Sequence, residues 1–219
     1  STELISIKNI LMENPNLAEQ VTMEIIKIPL SYEAKETRLS GGMVMMSAYP
    51  LFDNEKNLLG AIVGGVMLNK DNAIVDKVKE TIYQGEKYKG RDMGVATIFQ
   101  GCVRISTNVM TKENKRAIGT TLSKEVYDRV IVEGKDWVGR AFVVDDWYIT
   151  TYTPIYDMNK NLIGILYVGL LEAKYRDIKW NTIWINMGIT GLGMVIAFII
   201  SFYLGNTIIK RIRMLKEAA

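Results

Sequence analysis

The longest pattern in the chain is a run without charge. From Thr182 to Ile209 there is no Asp, Glu, Lys or Arg, and the centre reads Met194-Val-Ile-Ala-Phe-Ile-Ile. At about 1.5 Å of rise per residue, roughly 20 residues cross a hydrocarbon core, so the run is long enough to span one. Lys179, Trp180 and Trp184 lie at one edge, and Tyr203, Lys210, Arg211 and Arg213 at the other. Amphipathic rings and snorkelling cations prefer the membrane interface, so this flanking suits a span. A buried core helix is the alternative, and core helices seldom run so long uncharged. The pattern predicts a transmembrane helix over 180–207.

Ahead of the span the period changes several times. Leu4, Ile7 and Leu11, then Leu17, Val21 and Ile25, recur at helical spacing, and Pro15 divides them into two helices or one kinked helix. Ser31 to Ser40 is polar and reads as a loop. Met43 to Tyr49 and Leu58 to Leu68 read as strands around a turn at Asp53-Asn-Glu-Lys-Asn57. Asp71 to Glu80 returns to helical spacing, with Asp71 as N-cap. Val95–Gln100 and Cys102–Ile105 read as a hairpin turning at Gly101. Ser123 caps a short helix carrying Val126, Tyr127 and Val130 on one face, which Gly134 stops. Val138–Val144 and Trp147–Ile155 read as strands around Asp145-Asp146. Leu162–Leu170 reads as the last strand, about ten residues before the membrane helix.

Two of these hairpins are alike. Pro50, Asp53, Lys56, Asn57, Leu58, Gly60 and Gly65 fall on Pro154, Asp157, Lys160, Asn161, Leu162, Gly164 and Gly169 at one constant offset without a gap. Any two hairpins share turn chemistry, but a register held through both strands and the turn argues for two copies of one module. The expected division is therefore 1–82, the end of a first module and a linker helix; 83–178, a second module; then the membrane helix and a tail at 208–219.

Composition removes several kinds of chemistry. There is no histidine, so Ser-His triads, His phosphotransfer and His-ligated metal sites are excluded from this chain. Cys102 is the single cysteine and has no partner for a disulfide within the chain. The net charge is +3 with basic residues scattered, which gives no nucleic-acid surface. No cofactor or metal motif is present. The chain opens Ser1-Thr-Glu-Leu with no apolar stretch that could serve as a signal. The expectation is that residues upstream of Ser1 direct export, that they carried the first module's early strands, and that the helix begun at Lys210 continues.

Residues 94–170 carry a resemblance. Gly94-Val-Ala-Thr-Ile-Phe-Gln with Arg104-Ile-Ser-Thr-Asn-Val, Gly139-Arg-Ala-Phe-Val-Val-Asp-Asp-Trp-Tyr-Ile-Thr, Tyr152-Thr-Pro-Ile-Tyr-Asp and Ile163-Gly-Ile-Leu-Tyr-Val-Gly resemble the strands of a membrane-proximal Cache module. Gly41-Gly-Met through Val66-Met-Leu-Asn is similar to the end of the membrane-distal module of double-Cache sensors. Ile208 to Ala219 resembles the first helix of a HAMP domain. The resemblance implies an α+β fold, a PAS-like antiparallel sheet with flanking helices. It implies a receptor of bacterial or archaeal plasma membranes with the sensor outside; the cations Lys210, Arg211, Arg213 and Lys216 after the span put the C-terminus in the cytoplasm, and a homodimer is expected from the tail's spacing. The output domain that the resemblance implies is a histidine kinase or, alternatively, a chemoreceptor signalling domain.

Alternation places Tyr148, Thr150 and Tyr152 on one strand face and Arg140, Phe142 and Val144 on one face of the neighbouring strand, with Thr97 and Phe99 near the same cavity. Arg140 is the first candidate to bind a small carboxylate ligand, because its planar fork matches that group. Arg104 is a second candidate. The bland alternatives are a surface cation beside the turn and tyrosines that are ordinary core. The chain is expected to have no catalysis of its own. A membrane-anchored extracytoplasmic enzyme is the competing reading, and Asp145-Asp146 is the only acidic pair before the span that could serve it; both are expected to face water. A dimer seam is expected at Ile208, Ile212, Leu215 and Ala219, spaced four, three, four.

Overall fold

Pro15 does what its chemistry demands: it ends one helix and starts another. The computed structural model of the chain describes residues 1–217 other than Pro29 and Lys35, with side chains described as far as Asn206. A strand missed by the sequence reading, β1 (Thr2–Ile5), precedes helices α1 (Ile7–Glu13) and α2 (Pro15–Val21). Asn14 caps α2 by accepting the Asn16 N–H at 3.0 Å, and Pro15 occupies the first turn, where its missing N–H costs nothing. Short strands β2 (Met23–Glu24) and β3 (Arg38–Leu39) pair across the polar loop. Then come β4 (Gly42–Phe52), β5 (Leu58–Met67), α3 (Ala73–Tyr83), β6 (Lys87–Tyr88) and β7 (Arg91–Asp92). The second hairpin region holds β8 (Gly94–Gln100), β9 (Val103–Thr107), α4 (Lys124–Tyr127), a π-helical turn at Asp128–Val132, β10 (Trp137–Val143), β11 (Asp146–Tyr156) and β12 (Leu162–Leu171). α5 (Glu172–Glu217) completes the described chain.

Two sheets result, one of three strands in the order β1-β4-β5 and one of five in the order β10-β11-β12-β8-β9. Residues 1–172 form one compact unit and 173–219 another. β8 and β9 are buried along their whole lengths, as befits strands covered on both faces. One face of β8, through Ala96 and Ile98, packs with Met43, Leu68 and Val75. A hydrogen-bonded clasp holds the first sheet there: fully buried Asn69 accepts the Met43 N–H at 2.8 Å and donates to Gln100 at 3.0 Å. The cap of α3 differs in detail from expectation. Asn72 is the N-cap, while the Asp71 carboxylate accepts the Ala73 N–H at 2.9 Å.

The approach to the apolar helix is also corrected. No linker follows the last strand; Leu171 ends β12 and Glu172 begins α5. Glu172–Asn206 is long and apolar enough to cross a membrane: it contains an 18-residue window of mean hydropathy 2.1, none of it buried. The HAMP-like side chains and the seam at Ile208, Ile212, Leu215 and Ala219 lie outside the described residues.

Candidate functional site

The face of the five-stranded sheet turned away from Met43, Leu68 and Val75 is built from aromatic and hydroxyl side chains. Register decides which ones. Thr97 lies opposite Tyr167 and Tyr152 opposite the same Tyr167, while Phe99 lies opposite Arg104. Pleating then puts Thr97, Phe99, Arg104, Tyr148, Thr150, Tyr152 and Tyr167 on one face, all buried. Tyr152 and Tyr167 have ring centroids 4.6 Å apart, and Phe99 stands edge-on to Tyr167 at 6.5 Å. Tyr167 was not among the residues expected at the site. Its place two positions from Gly169 on an alternating strand was the available signal.

Arg104 sits at the centre of this cluster. It is 2% exposed, and its guanidinium carbon lies 5.0 Å from the Phe99 ring centroid. Nη1 donates to Thr120 Oγ1, which itself donates to the Ala117 carbonyl at 2.8 Å. Among the described residues Nε has no partner, nor has the Tyr167 hydroxyl. Burial pulls the Arg104 pKa below its ordinary value, and the groups opposing that pull are Tyr152, Tyr167 and Tyr148, with no carboxylate among them. Burial likewise raises Tyr152 and Tyr167 well above the ordinary tyrosine range. A buried cation held, among the described residues, only by a hydroxyl and a ring face is an expensive arrangement unless an anion joins it.

A strap covers this end of the face. Ile28, Leu30 and Ser31 line a small cavity of about 10 Å³ together with Arg104, Leu122 and Tyr152. The strap is tied to the loop before α4 by Tyr32 N–H to Leu122 O at 2.6 Å and by Thr121 Oγ1 to Tyr32 O at 2.9 Å. Tyr32 also stacks on Tyr127 at 3.6 Å. At the other end of the face a larger cavity of about 340 Å³ opens between Tyr148, Val95, Asn108 and the charged residues Arg91, Asp92 and Asp145. That volume is within the range of small-molecule sites.

Arg140 is elsewhere. Ala141 lies opposite Tyr148, one position off the expected register, and a shift of one residue turns every side chain over. Arg140 therefore points from the opposite face, half exposed, where it pairs with Glu172 at 2.5 Å and stacks over Trp147 at 3.9 Å. Phe142 stands edge-on to the same Trp147 at 5.5 Å while still bordering the small cavity. Thr97 and Thr150 are spent on internal bonds, Thr97 with Thr107 at 2.6 Å and Thr150 to the Gly139 carbonyl at 2.8 Å. The acidic pair also differs from expectation. Asp145 and Asp146 do not face water but both hold Arg91, at 3.1 Å each, with Asp145 gripping it through two bonds.

Comparison with known proteins gives one match. The family model described as single Cache domain 3 matches residues 66–182, which takes in the whole five-stranded sheet. No curated protein matches, and no solved structure matches.

Proposed function

The chain belongs to the single Cache domain 3 family, an extracytoplasmic class of small-molecule sensing modules, and from that premise we propose that it is the sensing and membrane-crossing part of a receptor for a small carboxylate. The observation that carries the ligand class is Arg104. Its buried, carboxylate-free guanidinium and the unpartnered Tyr167 hydroxyl offer a planar anion the donors it needs in a place that excludes water. The ligand enters by displacing Ile28, Leu30, Ser31 and Tyr32, since the cavity now beside Arg104 holds no more than a water.

Signalling follows from the covalent path. Tyr152 and Tyr167 lie on β11 and β12, and β12 runs into α5 without an intervening residue. A ligand that prefers one of two strand positions tenfold biases the helix by about 1.4 kcal/mol. In this reading α5 crosses the plasma membrane, two copies pair, and a cytoplasmic output domain receives the shift. The first hairpin is read as the end of a second module of the same kind, on the strength of its repeated register.

Thermal shift of residues 1–219 in detergent, titrated with acetate, lactate, succinate and free amino acids, tests the site. At a hundred times its dissociation constant a ligand stabilises by about 2.7 kcal/mol. Arg104→Met should remove that shift while leaving the unliganded protein as stable or more so, because an apolar chain replaces an unpaired buried charge. Arg140→Met should keep it. A shift retained in Arg104→Met, or no shift with any carboxylate, overturns the proposal.

A further inference from the structure

A groove opens beside the Arg104 cavity, and its wall is apolar. It holds about 550 Å³, within the range of small-molecule sites, and Ile26, Ile28, Ile118, Phe142 and Val144 line it. Three of these, Ile28, Phe142 and Val144, also border the small cavity that contains Arg104. Thr120, whose hydroxyl accepts from Arg104 Nη1, is a groove residue as well. Moving Ile28 aside, which entry of a carboxylate requires, removes a wall common to both spaces and joins them. Ile26 is anchored separately, its N–H donating to the Gly119 carbonyl at 2.9 Å. The polar groups at the rim are engaged or solvated. Arg116 is held by both Asp76 oxygens, at 2.9 and 2.8 Å, and by the Thr107 carbonyl at 2.7 Å, while Asp145 grips Arg91. Lys112, Glu113 and Lys115 are exposed and reach water.

We propose that the ligand is an aliphatic monocarboxylate, with its carboxylate on Arg104 and its hydrocarbon tail in this groove. The proposal rests on reading Arg104 as the carboxylate's partner and adds what the rest of the ligand must be. Each methylene moved from water onto the apolar wall strengthens binding about fourfold. A second carboxylate would instead meet that wall, or rim groups already held, and lose its hydration without a partner. One wall residue supports a role for its side chain. Val144 has φ +60°, in a turn closed by the Asp145 N–H on the Val143 carbonyl at 2.7 Å. That region resists a β-branched side chain and admits glycine freely, and such strained residues cluster at ligand sites.

Titration of residues 1–219 in detergent with acetate, butyrate, hexanoate and adipate, followed by thermal shift, tests the tail separately from the head. Affinity should rise about fourfold per methylene from acetate to hexanoate, and adipate should bind more weakly than hexanoate. Ile26→Asp, at a half-exposed position, should keep acetate binding and flatten the rise to about twofold per methylene or less. Val144→Gly should leave the unliganded melting point unchanged or raised, and weaken hexanoate without weakening acetate. Acetate binding that needs Arg104 but does not improve with chain length overturns the tail and leaves the carboxylate reading standing. Absence of binding by every carboxylate overturns both. A gain with length that survives in Arg104→Met puts the tail in detergent or elsewhere on the protein, and overturns the proposal. Tighter binding of adipate than of hexanoate does the same. So does an Ile26→Asp variant that changes sedimentation of the unliganded protein and not the chain-length series, which gives the groove to a second copy.

Discussion

The β4–β5 and β11–β12 hairpins are the same local chemistry in two surroundings. Their pairings match from Val44–Met67 and Tyr148–Leu171 to the turn, and each carries its one irregularity at the same step, Leu51/Phe52 and Ile155/Tyr156. Asp53 accepts the Asn57 N–H at 2.8 Å and its Nδ2 at 3.0 Å; Asp157 does the same with Asn161 at 2.8 and 2.9 Å. Lys56 and Lys160 both take the left-handed conformation the turn requires, at φ +67° and +64°. Beyond the turn the likeness ends. Tyr167 is fully buried, and Val63 at the matching position is 54% exposed. A turn sequence sets register by itself, whereas burial comes from whatever lies alongside.

The comparison can be broken at matched positions. The largest effect should come from truncation. Tyr167→Ala should lower the stability of residues 1–219 by about 3–5 kcal/mol, and Val63→Ala by about 0.5 kcal/mol or less, as read from urea unfolding. Equal losses would mean that the first hairpin is covered after all.

A smaller contrast lies in the paired glycines. A Cβ on Gly164 would meet the Phe99 carbonyl oxygen and the Met43 side chain, while one on Gly60 would meet nothing within 4 Å. Gly164→Ala should therefore cost about 1–3 kcal/mol by overpacking. Gly60→Ala should be neutral or stabilise by about 0.5 kcal/mol through lost chain entropy. Melting points of the two variants check this.

The smallest effect is alkaline. Burial, with Asp146 nearby, pushes Tyr148 up to about 12. An acid whose folded pKa is raised stabilises the fold below its unfolded value near 10, and that contribution is lost as pH rises toward 12. Val44 occupies the matching place in the first hairpin and titrates nothing. Between pH 10 and 12 exchange should therefore quicken in β11 before β4, beyond the general base catalysis common to both; uniform acceleration would contradict the assignment.

Sequence alone determined the elements whose signals are local. The Asp53 and Asp157 turns, the helix start after Ser123, the break at Pro15, the repeat and the uncharged run of α5 each depend on residues a few positions apart or on composition. Tyr148, Thr150 and Tyr152 share one face of β11, as expected, because alternation along a single strand is a local rule. Tertiary structure decided what depends on partners distant in the chain. Only pairing with β4 makes Thr2–Ile5 a strand, and only the β10–β11 register turns Arg140 outward and leaves Arg104 as the cation in the aromatic cluster. Asp145 and Asp146 are held by Arg91 rather than by water for the same reason. A one-residue step in pairing inverts a face, and nothing within either strand records which step its neighbour will take.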